Sequence, residues 1–184
     1  MTARVRWWQW VVLSGVACVC ALVLATGGRA RTFAPPPDGE ALVALAQLVE
    51  TEHRRVDLLV AGGRHDDAIE ALDGLAGGAW PAFDQVGEAG MWLRHDTVGR
   101  LVRLELDHGQ PTRPRIDALL AETGARLEDA RTRSSRPDAF SARLAGLRGE
   151  LFERIDEDDR ALQSYATALE MNRFLLDALL EARP

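Results

Sequence analysis

Residues 143–173 read RLAGLRGELFERIDEDDRALQSYATALEMNR. The stretch reads as two helices folded back on each other across a tight acidic turn, Asp156-Glu157-Asp158-Asp159. Val49 to Ala76 repeats the idea in weaker form. One such hairpin cannot cover its own apolar face, so hairpins must stack. Chains built this way work mainly by holding other molecules.

Outward from this stretch the pattern stays helical. From Glu40 onward no run alternates cleanly with period two between turns, which predicts no sheet. A first helix starts at Asp38 or Gly39. Leu42, Leu45, Leu48, Val49, Val56 and Leu59 give it one apolar face, and Gly62-Gly63 ends it. Asp66 to Ala76 forms the second, capped by Asp66 or Asp67 and stopped by Gly77-Gly78. Met91 to Asp107 and Pro114 to Ala130 make an irregular middle pair around the turn His108-Gly109-Gln110-Pro111. Trp80-Pro81 and Ser134-Ser135-Arg136-Pro137 flank that pair as loops.

The hairpins resemble tetratricopeptide repeats. In residues 142–175, Gly149 is the small residue of the first helix and Phe152 the aromatic three later. Ala161 is the small residue twelve after Gly149, and Tyr165 and Ala168 complete the second helix. Ala145, Arg148 and Arg173 depart from the pattern; proline is usual at the last. In residues 49–82, GGRHDDAIEAL resembles the repeat's turn and second helix through Gly63, Ala68 and Leu72. Glu52, Arg55 and Val56 match its first helix poorly, and Leu75 is bulkier than the usual alanine. The two units cover 68 residues, and the 59 between them fit no 34-residue register. Gly149 and Ala161 lack bulk, so two backbones can approach, and Phe152 and Tyr165 fill the groove beside them. Without the proline, the last helix either runs on or breaks at Asn172 before Phe174 to Arg183. That final segment is a candidate for the solubilising cap such arrays need.

The N-terminus is of another kind. Trp7 to Ala25 hold only Gln9 and Ser14 as polar residues. As a helix these 19 residues span about 28 Å, near the thickness of a bilayer core. Trp7, Trp8 and Trp10 suit the headgroup level. The same segment also reads as a cleaved signal peptide, with Gly28-Arg29-Ala30 as a cleavage site. The tryptophan cluster extends the apolar run and favours an uncleaved anchor. Both readings place the domain outside the cytoplasm, which is the periplasm if the cell is Gram-negative. Pro35-Pro36-Pro37 would form a stiff spacer. Cys18 and Cys20 both lie in the apolar run, so the domain beyond it has no thiol chemistry.

Charge narrows the function. The chain has 22 arginines, no lysine and a net charge of −6. Beyond residue 31, 18 arginines face 28 carboxylates, a net of −10. Nucleic-acid binding is therefore not expected, since phosphates need a positive face. Arg126, Arg131, Arg133 and Arg136 are the candidates for a local anion patch, against a solvated helix end. His53, His65, His95 and His108 form neither HxxxH nor HExxH, so no histidine metal site is expected. His65-Asp66-Asp67 reads as a turn and helix start. The acidic turn lacks the alternation and distal glutamate of a calcium loop; its carboxylates suit the start of a helix dipole. No GxSxG, phosphate loop or GxGxxG precedes a helix, and Ser141, Ser164 and Thr167 have no histidine nearby in sequence.

These readings give an all-α fold of antiparallel helical hairpins stacked as a short solenoid, preceded by one transmembrane helix. The divisions are an anchor or signal segment over 1–31, a proline-rich linker over 32–39 and a helical domain over 40–184. The resemblance implies a concave face lined by first-helix residues. Here those are Glu50, His53, Asp57, Val60 and Ala61, and Arg143, Gly146, Glu150, Glu153 and Arg154. Glu50, His53, Asp57, Arg143, Glu150, Glu153 and Arg154 are the expected partner contacts. The face lacks the lysine, asparagine and arginine set with which some members grip a terminal carboxylate. A mixed charged groove suits a protein segment bearing basic residues; the alternative is that these charges are merely solvated. The expected role is a membrane-tethered adaptor for a cell-envelope complex, held at the inner membrane through residues 7–25. No cofactor and no catalysis are expected. A permanent structural subunit, or a soluble periplasmic binding domain after signal cleavage, are the alternatives.

Overall fold

Glycine, proline and aspartate set where the helices start and stop. The computed structural model describes residues 39–134 and 136–182. The expected anchor, most of the proline spacer, Cys18 and Cys20 lie outside them. The described residues form six helices and no strand: α1 Gly39–Ala61, α2 His65–Gly77, α3 Phe83–Asp107, α4 Arg113–Arg133, α5 Ala139–Glu153 and α6 Asp158–Glu181. None of these helices is long and apolar enough to cross a membrane.

Gly63 ends α1 by adopting φ +72°, and the Arg64 amide donates back to the Leu59 carbonyl at 2.9 Å. The N-cap of α2 is Arg64, and its side chain caps nothing. Asp66 and Asp67, expected as caps, instead occupy the first turn. There their charge favours the helix dipole, and Asp67 pairs with Arg64. Asp138 is a true cap for α5, accepting the amides of Phe140 and Ser141 at 2.9 Å each.

One boundary differs from expectation, and one left open is decided. The third helix starts at Phe83, not Met91, because a short turn joins it across a kink. Gly87 takes φ +61° and ψ −158° inside it, a conformation glycine adopts cheaply. A Cβ at Gly90 would lie 2.2 Å from Val86 Cγ2. Glycine there lets Val86 fold against the following turn. The last helix does not break at Asn172. Its side-chain amide donates to the Ala168 carbonyl at 2.9 Å, and α6 runs on to Glu181. The extension is no polar cap. Phe174, Leu176, Leu179 and Leu180 are all exposed on it.

The helices pack as three successive hairpins, α1/α2, α3/α4 and α5/α6. The first helices also form a row, α1 on α3 and α3 on α5. Second helices sit against the next hairpin, α2 on α3 and α4 on α5. The central helix α3 thus touches α1, α2, α4 and α5. All six helices feed one main core, with Val56, Leu72, Val98, Leu119, Leu147 and Ala161 among its members. A smaller cluster of Leu45, Val49 and Val86 lies under Trp80. In the last hairpin, a Cβ on Gly149 would stand 2.5 Å from the Tyr165 ring. The close crossing expected from Gly149, Phe152, Ala161 and Tyr165 is formed, with Phe152 and Ala161 buried. Departures from the repeat pattern are absorbed locally. Ala145 is buried, and the Arg148 guanidinium lies 5.2 Å from the Phe152 ring centre.

Candidate functional site

The row α1, α3, α5 carries a polar ladder, and α3 supplies its middle. Asp96, Arg100, Arg103 and Asp107 recur at steps of four, three and four, which aligns them on one face of α3. Arg100 Nη1 donates to Asp57 Oδ1 on α1 at 3.1 Å, and its Nε to Asp96 at 3.3 Å. Asp96 also accepts from Arg143 Nη1 on α5 at 3.1 Å. Arg103 grips both oxygens of Glu150 on α5, at 2.7 and 2.8 Å, and reaches Asp107 at 3.5 Å. The chain Asp57–Arg100–Asp96–Arg143 therefore crosses all three hairpins.

His53 lies at the base of the ladder and is only 8% exposed. The Thr97 hydroxyl donates to the Leu93 carbonyl at 2.9 Å, so it accepts from His53 Nε2–H at 3.1 Å. Burial, then the Arg100 charge, hold the imidazole below its ordinary pKa, with Asp96 and Asp57 opposing. Arg154 donates to the Leu106 carbonyl at 2.8 Å. Burial, and then the Glu153 carboxylate, push the Tyr165 hydroxyl up to about 12. Glu50 stands apart, beside an open depression of about 630 Å³ with Arg54, Leu58 and Arg64.

The structure thus links Asp57, Arg143 and Glu150 through α3, buries His53 beneath them and leaves Glu50 outside the ladder. Sequence reasoning missed Asp96, Arg100 and Arg103, because α3 belongs to the pair that fits no repeat register. Their 4-3-4 spacing with Asp107 was the available signal. Across the ladder and its margins, five carboxylates (Asp57, Asp96, Asp107, Glu150, Glu153) meet four arginines (Arg100, Arg103, Arg143, Arg154).

Folding does bring a histidine to Ser141, but in the wrong order for nucleophilic chemistry. Ser141 Oγ donates to Asp138 Oδ2 at 2.6 Å and so accepts from His95 Nδ1 at 3.3 Å. A nucleophile would need its proton directed at the imidazole. The trio completes the α5 cap instead. Burial pushes His95 down to about 4, against the pull of Asp138. His95 also borders a cavity of about 460 Å³ with Trp80, Phe83, Arg126 and Asp129. Three of the four arginines foreseen as a patch are paired internally: Arg126 with Glu122 and Asp129, Arg131 with Glu128, Arg133 with Asp129; the fourth, Arg136, lies in the loop beyond α4. Among the described residues no three His, Cys, Asp or Glu side chains gather to hold a metal ion. No protein-family model, curated protein or solved structure matches this chain.

Proposed function

We propose that the chain is a helical-hairpin scaffold of the tetratricopeptide type that holds a protein partner on the α1–α3–α5 row, tethered to a membrane by its N-terminal apolar run. The observation that carries this reading is the continuous polar ladder from Asp57 to Arg143. It joins the first helices of all three hairpins into one face. With five carboxylates to four arginines, that face favours a segment bearing basic side chains. The arginines are already engaged, so the ladder offers fixed dipoles and unfilled carboxylate lone pairs rather than mobile charge. The tether rests on Trp7 to Ala25, whose apolar length suits a bilayer.

Photo-crosslinking in native membranes tests the reading. A photoreactive residue at Glu50, Asp57 or Arg143, each exposed on a first helix, should give an adduct with one recurring protein. The same group at Glu70 on α2 or Asp117 on α4 should not. Added salt should weaken the adducts, because rim charges are screened within about 10 Å. Equal adducts from both sets of positions, or none from the first, would overturn it.

A further inference from the structure

The outer side of α6 is apolar and bare. Leu162, Leu169, Leu176 and Leu180 are 56–66% exposed. With Ala166 and Arg173 they recur at steps of four and three, so all six fall on one stripe of the helix. Ala161, Ser164 and Ala168 are buried on the opposite side, toward α5. Among the described residues, α5 is the only helix packed on α6. The earlier second helices differ, since α2 and α4 are each also covered by the hairpin that follows. Moreover, α6 has 24 residues and α5 has 15, so α6 outruns its partner by about 13 Å.

We propose that this stripe is the interface of a homodimer, in which α6 packs antiparallel against α6 of a second copy about a two-fold axis at the height of residue 171. The pattern is self-complementary in that register. Leu162 meets Leu180 of the second copy, Ala166 meets Leu176, and Leu169 meets Arg173, so each layer joins one position of the four-step to one of the three-step. Arg173 is the only charge inside the stripe. Near the axis it lies beside Glu170, so the two copies bring together two guanidiniums and two carboxylates. The stem of Arg173 covers the facing Leu169 while its charge is balanced. A lipid surface fits less well. From Asp158 to Glu181 the helix carries five carboxylates and two arginines, which anionic headgroups repel.

Cysteine pairing in the full chain tests the register. Cys18 and Cys20 are replaced by alanine, two differently tagged copies are expressed together, and isolated membranes are oxidised. Leu162→Cys with Leu180→Cys, and Leu169→Cys with Arg173→Cys, should each give a mixed-tag disulfide. Leu162→Cys in both copies should give at least tenfold less, because those positions lie about 27 Å apart in the antiparallel pair. A dominant 162–162 product would mean a parallel pair, and no product at either mixed position would mean that another molecule covers the stripe. Either result overturns the proposal. Leu169→Glu with Leu176→Glu should convert the dimer to a monomer by light scattering in detergent, with helix content unchanged. A dimer that survives this pair also overturns it.

Discussion

Gly149 and Tyr165 share a space with room for one side chain. Any Cβ at position 149 would stand 2.5 Å from Tyr165 Cε1 and 2.7 Å from Cζ. Gly149→Ala should therefore force the α5/α6 crossing apart and cost about 1–3 kcal/mol in thermal or urea unfolding. Gly146, on the same helix, has nothing within 4 Å of where a methyl group would stand. Gly146→Ala should be neutral or stabilise by up to about 1 kcal/mol, since alanine loses less backbone entropy in a helix. Opposite signs from one substitution type on one helix would show that contact, not helix propensity, governs position 149. His95 gives a second prediction at this scale. Its folded pKa is held down to about 4, against 6.5 when unfolded. Between those values the unfolded chain binds the extra proton, so stability is full above pH 6.5 and falls as the pH drops toward 4. From about pH 7 to about pH 5 the loss should be about 2 kcal/mol. In His95→Gln most of that slope should vanish. A shallower slope of the same sign should remain from His53, also held down by burial.

Single elements are tied together by arginines that leave their own helix. Arg115 on α4 donates to Glu105 on α3 at 2.7 Å and to Asp73 on α2 at 2.9 Å. Glu105 is buried, at 6% exposure, while Asp73 faces solvent. Arg115→Met should cost about 2–3 kcal/mol, mostly by leaving the Glu105 charge buried without a counterion. Arg115→Met with Glu105→Gln should cost less than Arg115→Met alone, which a double-mutant cycle in urea would read. Such ties also mark what the sequence could and could not reveal. The α5/α6 hairpin was legible because Gly149, Phe152, Ala161 and Tyr165 make their contacts within one local unit. The start of α3 was hidden by Gly87 and Gly90, which read as loop until Val86 is seen folded over Gly90. The polar ladder was hidden for a different reason. Asp57 and Arg100 are 43 residues apart, and Asp96 and Arg143 are 47 apart. No local pattern in a single chain reports pairings at that range.

Among the described helices α3 touches four neighbours and α6 one, so the first and last hairpins should not matter equally to stability. Among the described residues the last buried one is Ala168. From residue 172 to residue 182 every side chain but the half-buried Leu175 is exposed. Ending the chain after Arg173 therefore removes apolar surface that already faces water in the single copy. Its direct effect on monomer unfolding should be within about 1 kcal/mol, or about 2–4 °C for a domain of this size. The effect on assembly should be larger. Truncation deletes Leu176 and Leu180, the partners of Ala166 and Leu162 across the proposed axis. An associating folded state makes the melting temperature rise with protein concentration, because only the folded form pairs. The full chain in detergent should show that rise, and the chain ending at Arg173 should not. If truncation lowered the melting temperature equally at low and high concentration, the extension would be stabilising its own hairpin and not a neighbour. The loss of concentration dependence, with little change at high dilution, would place its contribution between copies.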